Sequence, residues 1–209
     1  MDAFREAFGP AASLPRPNID TDVIIRIERL TGVPRAEMGP YAFEALRYRQ
    51  DAGGGPGAEN ADFVFNREPF RGAPILIAGR NFGCGSSREG AVWAMMGMGI
   101  RVVIAESFGD IFFANCFQNG MLPIVLDGPT VERLAEAAAG GDPVRVDLVN
   151  RVVVPPNGAP IPFEIDPQRR EALLEGLDEI GRTLKHEAAI AGWQGRDRDA
   201  RPWVWQTSE

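Results

Sequence analysis

The feature that most constrains the fold is an alternation of short apolar runs and longer helical segments between residues 75 and 139. The apolar runs are typical of strands covered on both faces, and they are ILIAG (75–79), RVVIAE (101–106) and LPIVL (122–126). Each is followed by a segment that favours a helix: 87–98, 109–117 and 131–139. Such alternation predicts right-handed βαβ units, a mostly parallel sheet with flanking helices, and therefore an α/β fold.

The segments on either side of this core follow other patterns. VRVDLV, RVVV and IPFEI alternate and predict an antiparallel elaboration, and residues 166–193 predict one or two helices broken near Gly181. Towards the N-terminus, NIDTDVII (18–25) indicates a turn and a short buried strand, and the Gly-rich stretch 51–60 indicates a flexible surface loop. We predict one domain over 1–209. It consists of an N-terminal arm 1–60, a core 61–165, C-terminal helices 166–194 and a tail 195–209.

Charge and residue counts exclude several classes of protein. Asp and Glu number 29 against 22 Lys and Arg, giving a net charge of -7, which is the wrong sign for a general nucleic-acid binder or for an anionic membrane surface. No apolar stretch approaches the roughly 20 residues that span a bilayer, and the first residues lack a signal-peptide pattern, so we expect a cytoplasmic protein. Two cysteines and one histidine are too few for an iron–sulfur cluster or a multi-His metal site held by this chain alone.

The densest candidate for chemistry is NFGCGSSRE (81–89), which connects a predicted buried strand to a predicted helix. Ligands of open α/β sheets usually bind at such strand ends. Gly85 allows close approach of a ligand, helix-opening N–H groups favour an anion, and Ser86 and Ser87 add hydroxyl donors. Arg88 offers a planar fork that suits a carboxylate or a phosphate. The loop therefore predicts a compact anion site.

Two other interpretations of this loop stay open from local residues. Ser86 and Glu89 fit a capping box, in which the serine caps the helix and has no chemical role. The loop also begins like a dinucleotide-binding fingerprint, with Glu106 at a suitable distance for a ribose contact. Against that interpretation, Arg88 stands where the third glycine of the fingerprint is needed.

A second constellation is NIDTD, with Asp20, Thr21 and Asp22 in a turn. These side chains could orient a neighbouring arginine or line a site, or they could form an Asx-type turn with solvated acids. Cys116 lies in an apolar helical segment and is predicted to be core. No residue pattern predicts a metal site.

Several motifs, taken together, resemble a known family. They are NIDTDVII, NFGCGSSRE followed by a Trp-containing helix, ESFGDIFFANCFQNGMLPIVL, and FEIDPQRREALLEGLDEIG. In this order, from about Asn18 to Trp193, the sequence resembles the small subunit of bacterial 3-isopropylmalate dehydratase, the detached swivelling domain of the aconitase superfamily. The resemblance implies a swivelling β/β/α fold and a partner, the large subunit, which holds a [4Fe-4S] cluster.

The resemblance also implies an activity and its residues. The family interconverts 2-isopropylmalate and 3-isopropylmalate by dehydration and rehydration in leucine biosynthesis, and the first serine of G-S-S-R-E, here Ser86, would be the base. Ser87 and Arg88 would bind a substrate carboxylate, with Gly85 beside them and the NIDTD acids nearby. A serine becomes a credible base only next to cationic and amide groups that favour its alkoxide.

This sequence departs from the family pattern at three places. Gly90 replaces a common histidine, Arg26–Glu28 replaces a Pro-Lys pair, and residues 108–112 read FGDIF in place of FADIF. These changes fit a paralogous dehydratase for another alkyl malate, such as methylmalate, dimethylmalate or homoaconitate. A stand-alone anion- or nucleotide-binding module and a purely structural partner of a large subunit are the alternatives from other classes.

Overall fold

The computed structural model describes residues 1–50, 56–86 and 88–205. Its strands are β1 (Glu6–Gly9), β2 (Ala11–Leu14), β3 (Tyr48–Gln50), β4 (Pro56–Glu59), β5 (Ile75–Ala78), β6 (Val102–Ala105), β7 (Leu122–Val125), β8 (Val144–Asp147), β9 (Val152–Val154) and β10 (Ile161–Pro162). Its α-helices are α1 (Thr21–Ile24), α2 (Ile27–Gly32), α3 (Glu44–Arg47), α4 (Glu89–Gly97), α5 (Asp110–Asn119), α6 (Gly128–Ala138), α7 (Pro167–Glu175), α8 (Glu179–Leu184) and α9 (Glu187–Ala200).

The central sheet is parallel, as the alternation of apolar runs and helices predicts. Its order is β2-β5-β6-β7, and every neighbouring pair runs in the same direction. All four residues of β5 and of β6 are buried, because helices or other strands cover both faces of the sheet. The strand β2 joins this sheet as a fourth member, which the sequence pattern did not predict.

A second sheet is antiparallel, with the order β1-β8-β9-β10. Its last three strands are the predicted elaboration after residue 140, and β1 from the N-terminus completes it. The α/β fold with a mostly parallel sheet and an antiparallel addition is therefore confirmed. A separate hairpin pairs β3 with β4.

Two apolar clusters lie on the two faces of the parallel sheet. The first packs α4 and α5 against residues of the N-terminal half, including Ile24, Phe43 and Phe65. The second packs α6, α7 and the antiparallel sheet, including Val146, Phe163 and Leu173. The carboxyl end of β5 consequently lies among well-packed elements. The loop that leads from this end to α4 starts there.

Three local predictions were wrong. Residues 21–24 form a helical turn instead of a buried strand, because the Asp20 carboxylate caps it by accepting from the Val23 N–H at 2.8 Å. Residues 56–59 form β4, so the predicted surface loop ends earlier, and residues 51–55 lie outside the described part of the chain. The C-terminal segment forms three helices instead of one or two: it breaks at Gly176, which adopts the left-handed conformation, and again at 185–186, while Gly181 lies inside α8.

Candidate functional site

The loop that follows β5 is held at its first residues by backbone contacts to two other segments. The Gly83 N–H donates to the Ile19 carbonyl at 2.7 Å, and the Cys84 carbonyl accepts from the Thr21 N–H at 3.0 Å. Through these bonds the NIDTD segment lies alongside the loop although about 60 residues separate them in sequence. The two constellations that the sequence singled out separately therefore form one site.

Glycine is required where the loop passes over α5. Gly83 has a φ of +71°, and a Cβ atom there would lie 2.2 Å from the Cγ atom of Phe112. Phe112 is itself buried and packs edge-to-face on Phe82, with ring centroids 5.4 Å apart. The backbone at residue 83 therefore contacts an aromatic cluster directly. Gly85 and Ser86, further along the loop, are exposed at the surface.

Ser86 has no capping role, so the capping-box interpretation was wrong. The helix α4 begins at Glu89, its N-cap residue is Arg88, and no side chain caps it. The Ser86 side chain is exposed, and its Oγ lies 3.4 Å from Oγ1 of Thr21. Because the cap does not use the serine hydroxyl, that hydroxyl is available to a ligand.

The last three residues of the NIDTD motif make three different contacts. Asp20 caps α1, Thr21 donates from Oγ1 to the Ser86 carbonyl at 3.1 Å, and Asp22 forms an ion pair with Arg88. The Arg88 side chain is mostly buried, at 16% exposure, whereas Asp22 is 58% exposed. A ligand carboxylate can therefore reach the guanidinium from the solvent side, where Asp22 is the more exposed partner.

Most of the site residues predicted from the sequence lie close together at the loop between β5 and α4. They are Asp20, Thr21, Asp22, Gly85, Ser86 and Arg88. Ser87 lies outside the described residues, so its predicted carboxylate contact stays a prediction. The N-terminus of α4, a helix of nine residues, directs its free N–H groups towards this loop and favours negative charge there.

Two departures from the family pattern meet in space. Gly90, in the first turn of α4, has no side chain, and the side chain of Leu30 takes the space: a Cβ atom at 90 would lie 2.2 Å from Cδ2 of Leu30. Leu30 belongs to α2, and the Arg26–Glu28 segment forms the N-cap and the first two residues of that helix. The two places therefore adjoin in the fold, where an aliphatic side chain lies over the start of α4.

The position of α2 is fixed by a mostly buried ion pair. Arg29 donates from Nε to Oε2 of Glu44 at 2.9 Å, and its guanidinium carbon lies 4.4 Å from the centroid of the Tyr41 ring. The hydrogen bonds to Glu44 raise the pKa of Arg29 above its usual value. Glu44 is only 7% exposed, so removing either charge would leave the other without a partner in a poorly solvated place.

The cysteines and acids that the structure describes do not form a metal centre. Among the described residues, no group of three His, Cys, Asp or Glu side chains could hold a metal ion. Cys116 is fully buried, as predicted for a core residue, and burial raises the pKa of its thiol well above the usual value. Cys84 is partly exposed in the loop. These side chains therefore do not fit an iron–sulfur cluster within this chain.

A cleft of about 570 Å³ lies elsewhere. It is formed with α6 and is lined by Glu106 and Arg80, and none of the described loop residues, 83–86 and Arg88, lines it. A dinucleotide would need Glu106 and the loop to face the same ligand. The geometry therefore opposes the dinucleotide-binding interpretation of this loop.

One residue of the site region was missed by sequence reasoning. Asn119, the last residue of α5, donates from Nδ2 to Oε1 of Glu89 at 2.8 Å, which ties it to the residue after Arg88. In the sequence, Asn119 followed by Gly120 has the pattern of an ordinary helix end. No local signal distinguishes it, because its partners come from elsewhere in the chain.

No helix among residues 1–50, 56–86 and 88–205 is long and apolar enough to cross a membrane.

Comparison with known proteins adds independent information. A family described as the aconitase C-terminal domain matches residues 1–129, and a second, described as LeuD_N, matches residues 132–167. The 3-isopropylmalate dehydratase small subunit of Gluconacetobacter diazotrophicus is 49% identical over 205 residues, which is 97% of each chain. That of Gluconobacter oxydans is 50% identical and covers 98% of this chain and 96% of its own.

A solved structure agrees with these sequence matches. The crystal structure of 3-isopropylmalate dehydratase from Methanocaldococcus jannaschii superimposes with a TM-score of 0.65 and 26% identity, over 90% of this chain and 98% of that one. The similarity covers nearly the whole of both chains. The predicted swivelling-domain fold is confirmed by this likeness.

Proposed function

Because the chain belongs to the aconitase C-terminal domain family and, within it, to the 3-isopropylmalate dehydratase small subunits, we propose that it is the small subunit of a heteromeric hydro-lyase. With a large subunit it interconverts 2-isopropylmalate and 3-isopropylmalate in leucine biosynthesis, in the cytoplasm. The observation that carries the proposal is the exposed Ser86 hydroxyl, free of any capping role, beside Arg88 and the N-terminus of α4.

The base in this proposal is Ser86. The reaction removes a proton from a carbon next to a carboxylate, which needs a strong and oriented base. Free N–H groups of α4 and the guanidinium of Arg88 favour the alkoxide of Ser86 over the neutral hydroxyl. Thr21 Oγ1, at 3.4 Å, gives the serine proton a neighbouring oxygen. Ser86 Oγ takes the proton from one carbon of the substrate and returns it to the neighbouring carbon, which has lost its hydroxyl, while water adds at the carbon that lost the proton.

Substrate carboxylates are held by the remaining residues of the loop. Arg88 provides a bidentate fork, and Asp22 keeps the guanidinium oriented before a ligand arrives. Ser87 and the Gly85 backbone are the further carboxylate contacts of this proposal. The large subunit is proposed to carry the [4Fe-4S] cluster, which as a Lewis acid assists departure of the hydroxyl. This division of labour agrees with a family whose members are named as one subunit of the enzyme.

A specific observation favours a second candidate substrate. Leu30 occupies the space over Gly90, so the apolar surface beside the anion loop has its own shape in this chain. Of the other substituted malates, methylmalate and dimethylmalate carry alkyl groups that suit this apolar surface, whereas homoaconitate carries a further carboxylate that does not. The mechanism and the roles of Ser86 and Arg88 would be the same.

The test is an absorbance assay for the alkene intermediate with anaerobically reconstituted large subunit and this chain. We expect turnover of 2-isopropylmalate that is lost, by about a thousandfold or more in kcat, in Ser86→Ala, since a base that acts only in the transition state is removed. Ser13→Ala, a serine of β2 outside the loop, is the matched control. Turnover that survives Ser86→Ala would assign this chain a structural role, and turnover of only another malate would establish the second candidate.

A further inference from the structure

Asn119 is a buried polar residue that uses all the hydrogen-bonding capacity of its amide. It is 5% exposed at the end of α5. Its Oδ1 accepts from Trp93 Nε1 at 2.9 Å and from Arg35 Nη2 at 3.0 Å. Its Nδ2 donates to Glu89 Oε1 at 2.8 Å and to the Asn115 carbonyl at 2.9 Å. Only one orientation of the amide satisfies these four partners.

The amide lies between groups of opposite charge. The guanidinium of Arg35 faces its oxygen and also stacks on Trp93, with Cζ 4.9 Å from the ring centroid. The carboxylate of Glu89 faces its NH₂ group. Charge-assisted hydrogen bonds are shorter and stronger than neutral ones, so this amide connects α5, α4 and the segment around Arg35 firmly.

The loop that bears Ser86 is thereby anchored at both ends. Its first end is held by the bonds of Gly83 and Cys84 to Ile19 and Thr21. Its second end is Glu89, the first residue of α4, which is held by Asn119. Between these two anchors lie the exposed residues Gly85 and Ser86. A shift of Glu89 would pass directly to Arg88 and to Ser86.

We propose that Asn119 is a positioning residue of the reaction, which sets the place of Ser86 and Arg88 by holding the carboxylate of Glu89. This inference rests on the proposed function and adds a residue that acts through Glu89 without touching the substrate. Its effect is kinetic because proton transfer depends on sub-ångström placement of the base. A residue that only filled the core would change stability and leave turnover per active site unchanged.

The test begins with Asn119→Asp in the complex with the large subunit. The new carboxylate oxygen would face Glu89 Oε1 and the Asn115 carbonyl, at the 2.8 and 2.9 Å now bridged by N–H groups, with no proton between them. Repulsion moves Glu89 away, and we expect kcat to fall by about tenfold or more, as a displacement of the base by a fraction of an ångström predicts. Affinity between the subunits should stay unchanged.

A rescue variant separates positioning from packing. In Asn119→Asp with Glu89→Gln, the glutamine amide donates to the aspartate, so the contact between 119 and 89 forms again with donor and acceptor exchanged. We expect kcat to recover to within about threefold of the wild type, a non-additive result that marks direct coupling of the two residues. Losses that simply add, without recovery, would overturn the proposal.

Two further variants keep the test decisive. Glu89→Ala breaks the same bond from the other side and should lower kcat as much as Asn119→Asp; unchanged kcat would overturn the proposal even if Asn119→Asp did not fold. Asn66→Asp is the matched control, since Asn66 is another amide that links an arginine, Arg47, to backbone carbonyls, with no partner in the loop. It should leave kcat unchanged.

The indole N–H resonance of Trp93 gives a readout that does not depend on activity. It should shift in Asn119→Asp, because the acceptor of this N–H is Oδ1 of residue 119, and it should shift again in the rescue variant, because the aspartate is then no longer repelled by the Glu89 carboxylate. If the wild-type complex turns over no malate at all, the proposed function fails. The indole shift would still report whether Asn119 and Glu89 are coupled.

Discussion

Replacing Gly83 by alanine tests how tightly the loop is seated on α5. The new Cβ atom would lie 2.2, 2.5 and 2.7 Å from three atoms of Phe112, whereas ordinary contacts begin near 3.4 Å. The loop or the ring must therefore move by about 1.2 Å, the difference between 3.4 and 2.2 Å. Phe112 cannot rotate away easily, because it is buried and packed against Phe82 and Phe108.

Two costs contribute to the expected destabilisation of Gly83→Ala. The left-handed conformation, with φ at +71°, costs an alanine about 1–2 kcal/mol. Forcing extra volume into a packed core typically costs a further 1–3 kcal/mol or so. We therefore expect the free energy of unfolding to fall by about 2–5 kcal/mol, the sum of these two contributions.

Gly72→Ala is a control matched in backbone geometry. Gly72 has a φ of +72°, and a Cβ atom there meets nothing within 4 Å. The free energy of unfolding of Gly72→Ala should fall only by the conformational cost, about 1–2 kcal/mol. Urea denaturation of the two variants, followed by circular dichroism with m-values compared to the wild type, gives both free energies.

The difference between the two variants isolates the collision with Phe112. Equal losses for Gly83→Ala and Gly72→Ala would refute the argument that the aromatic cluster fixes the loop. The same displacement should reach Ser86, so kcat of the reconstituted complex should fall by about tenfold to a hundredfold in Gly83→Ala. A Gly83→Ala complex with unchanged kcat would contradict the proposed link between loop position and base.

Further predictions concern single groups. Asp22→Ala should raise KM several-fold in steady-state assays of the complex, because the guanidinium with which it pairs loses its orienting partner, and it should change stability by less than about 1 kcal/mol. In native protein, Cys84 should react with a thiol reagent while Cys116 reacts only after unfolding, since Cys116 is completely buried; equal rates measured by absorbance would contradict this. Hydrogen bonds from Thr130 lower the pKa of Asp127 below its usual 3.8, so the stability it contributes is present above that pH and is lost as the pH falls further. In acid titrations of unfolding, Asp127→Asn should lack this loss, and an unchanged acid profile would count against the assignment.

The sequence predicts a helix or strand of this protein correctly when the residues of that element carry the signal themselves. The strand at Ile75–Ala78 and the helix at Asp110–Asn119 were predicted because each carries its own apolar pattern. The segment 21–24 was mispredicted, because its apolar residues Val23 and Ile24 suggest a strand while a single carboxylate, Asp20, caps a helical turn. The predicted division of the chain into arm, core, C-terminal helices and tail stays a prediction, although α9 continues to Ala200, past the predicted limit of 194.

The sequence by itself determined the α/β class, the family resemblance and the loop that carries Ser86 and Arg88. These follow from periodicity and from residue types that stand close together along the chain. Only the tertiary structure decided that Ser86 is free of the helix cap, that Asp22 pairs with Arg88, and that Asn119 holds Glu89. Such contacts join residues about 30 to 66 positions apart, so they are fixed by how the sheet and helices pack and no local pattern encodes them.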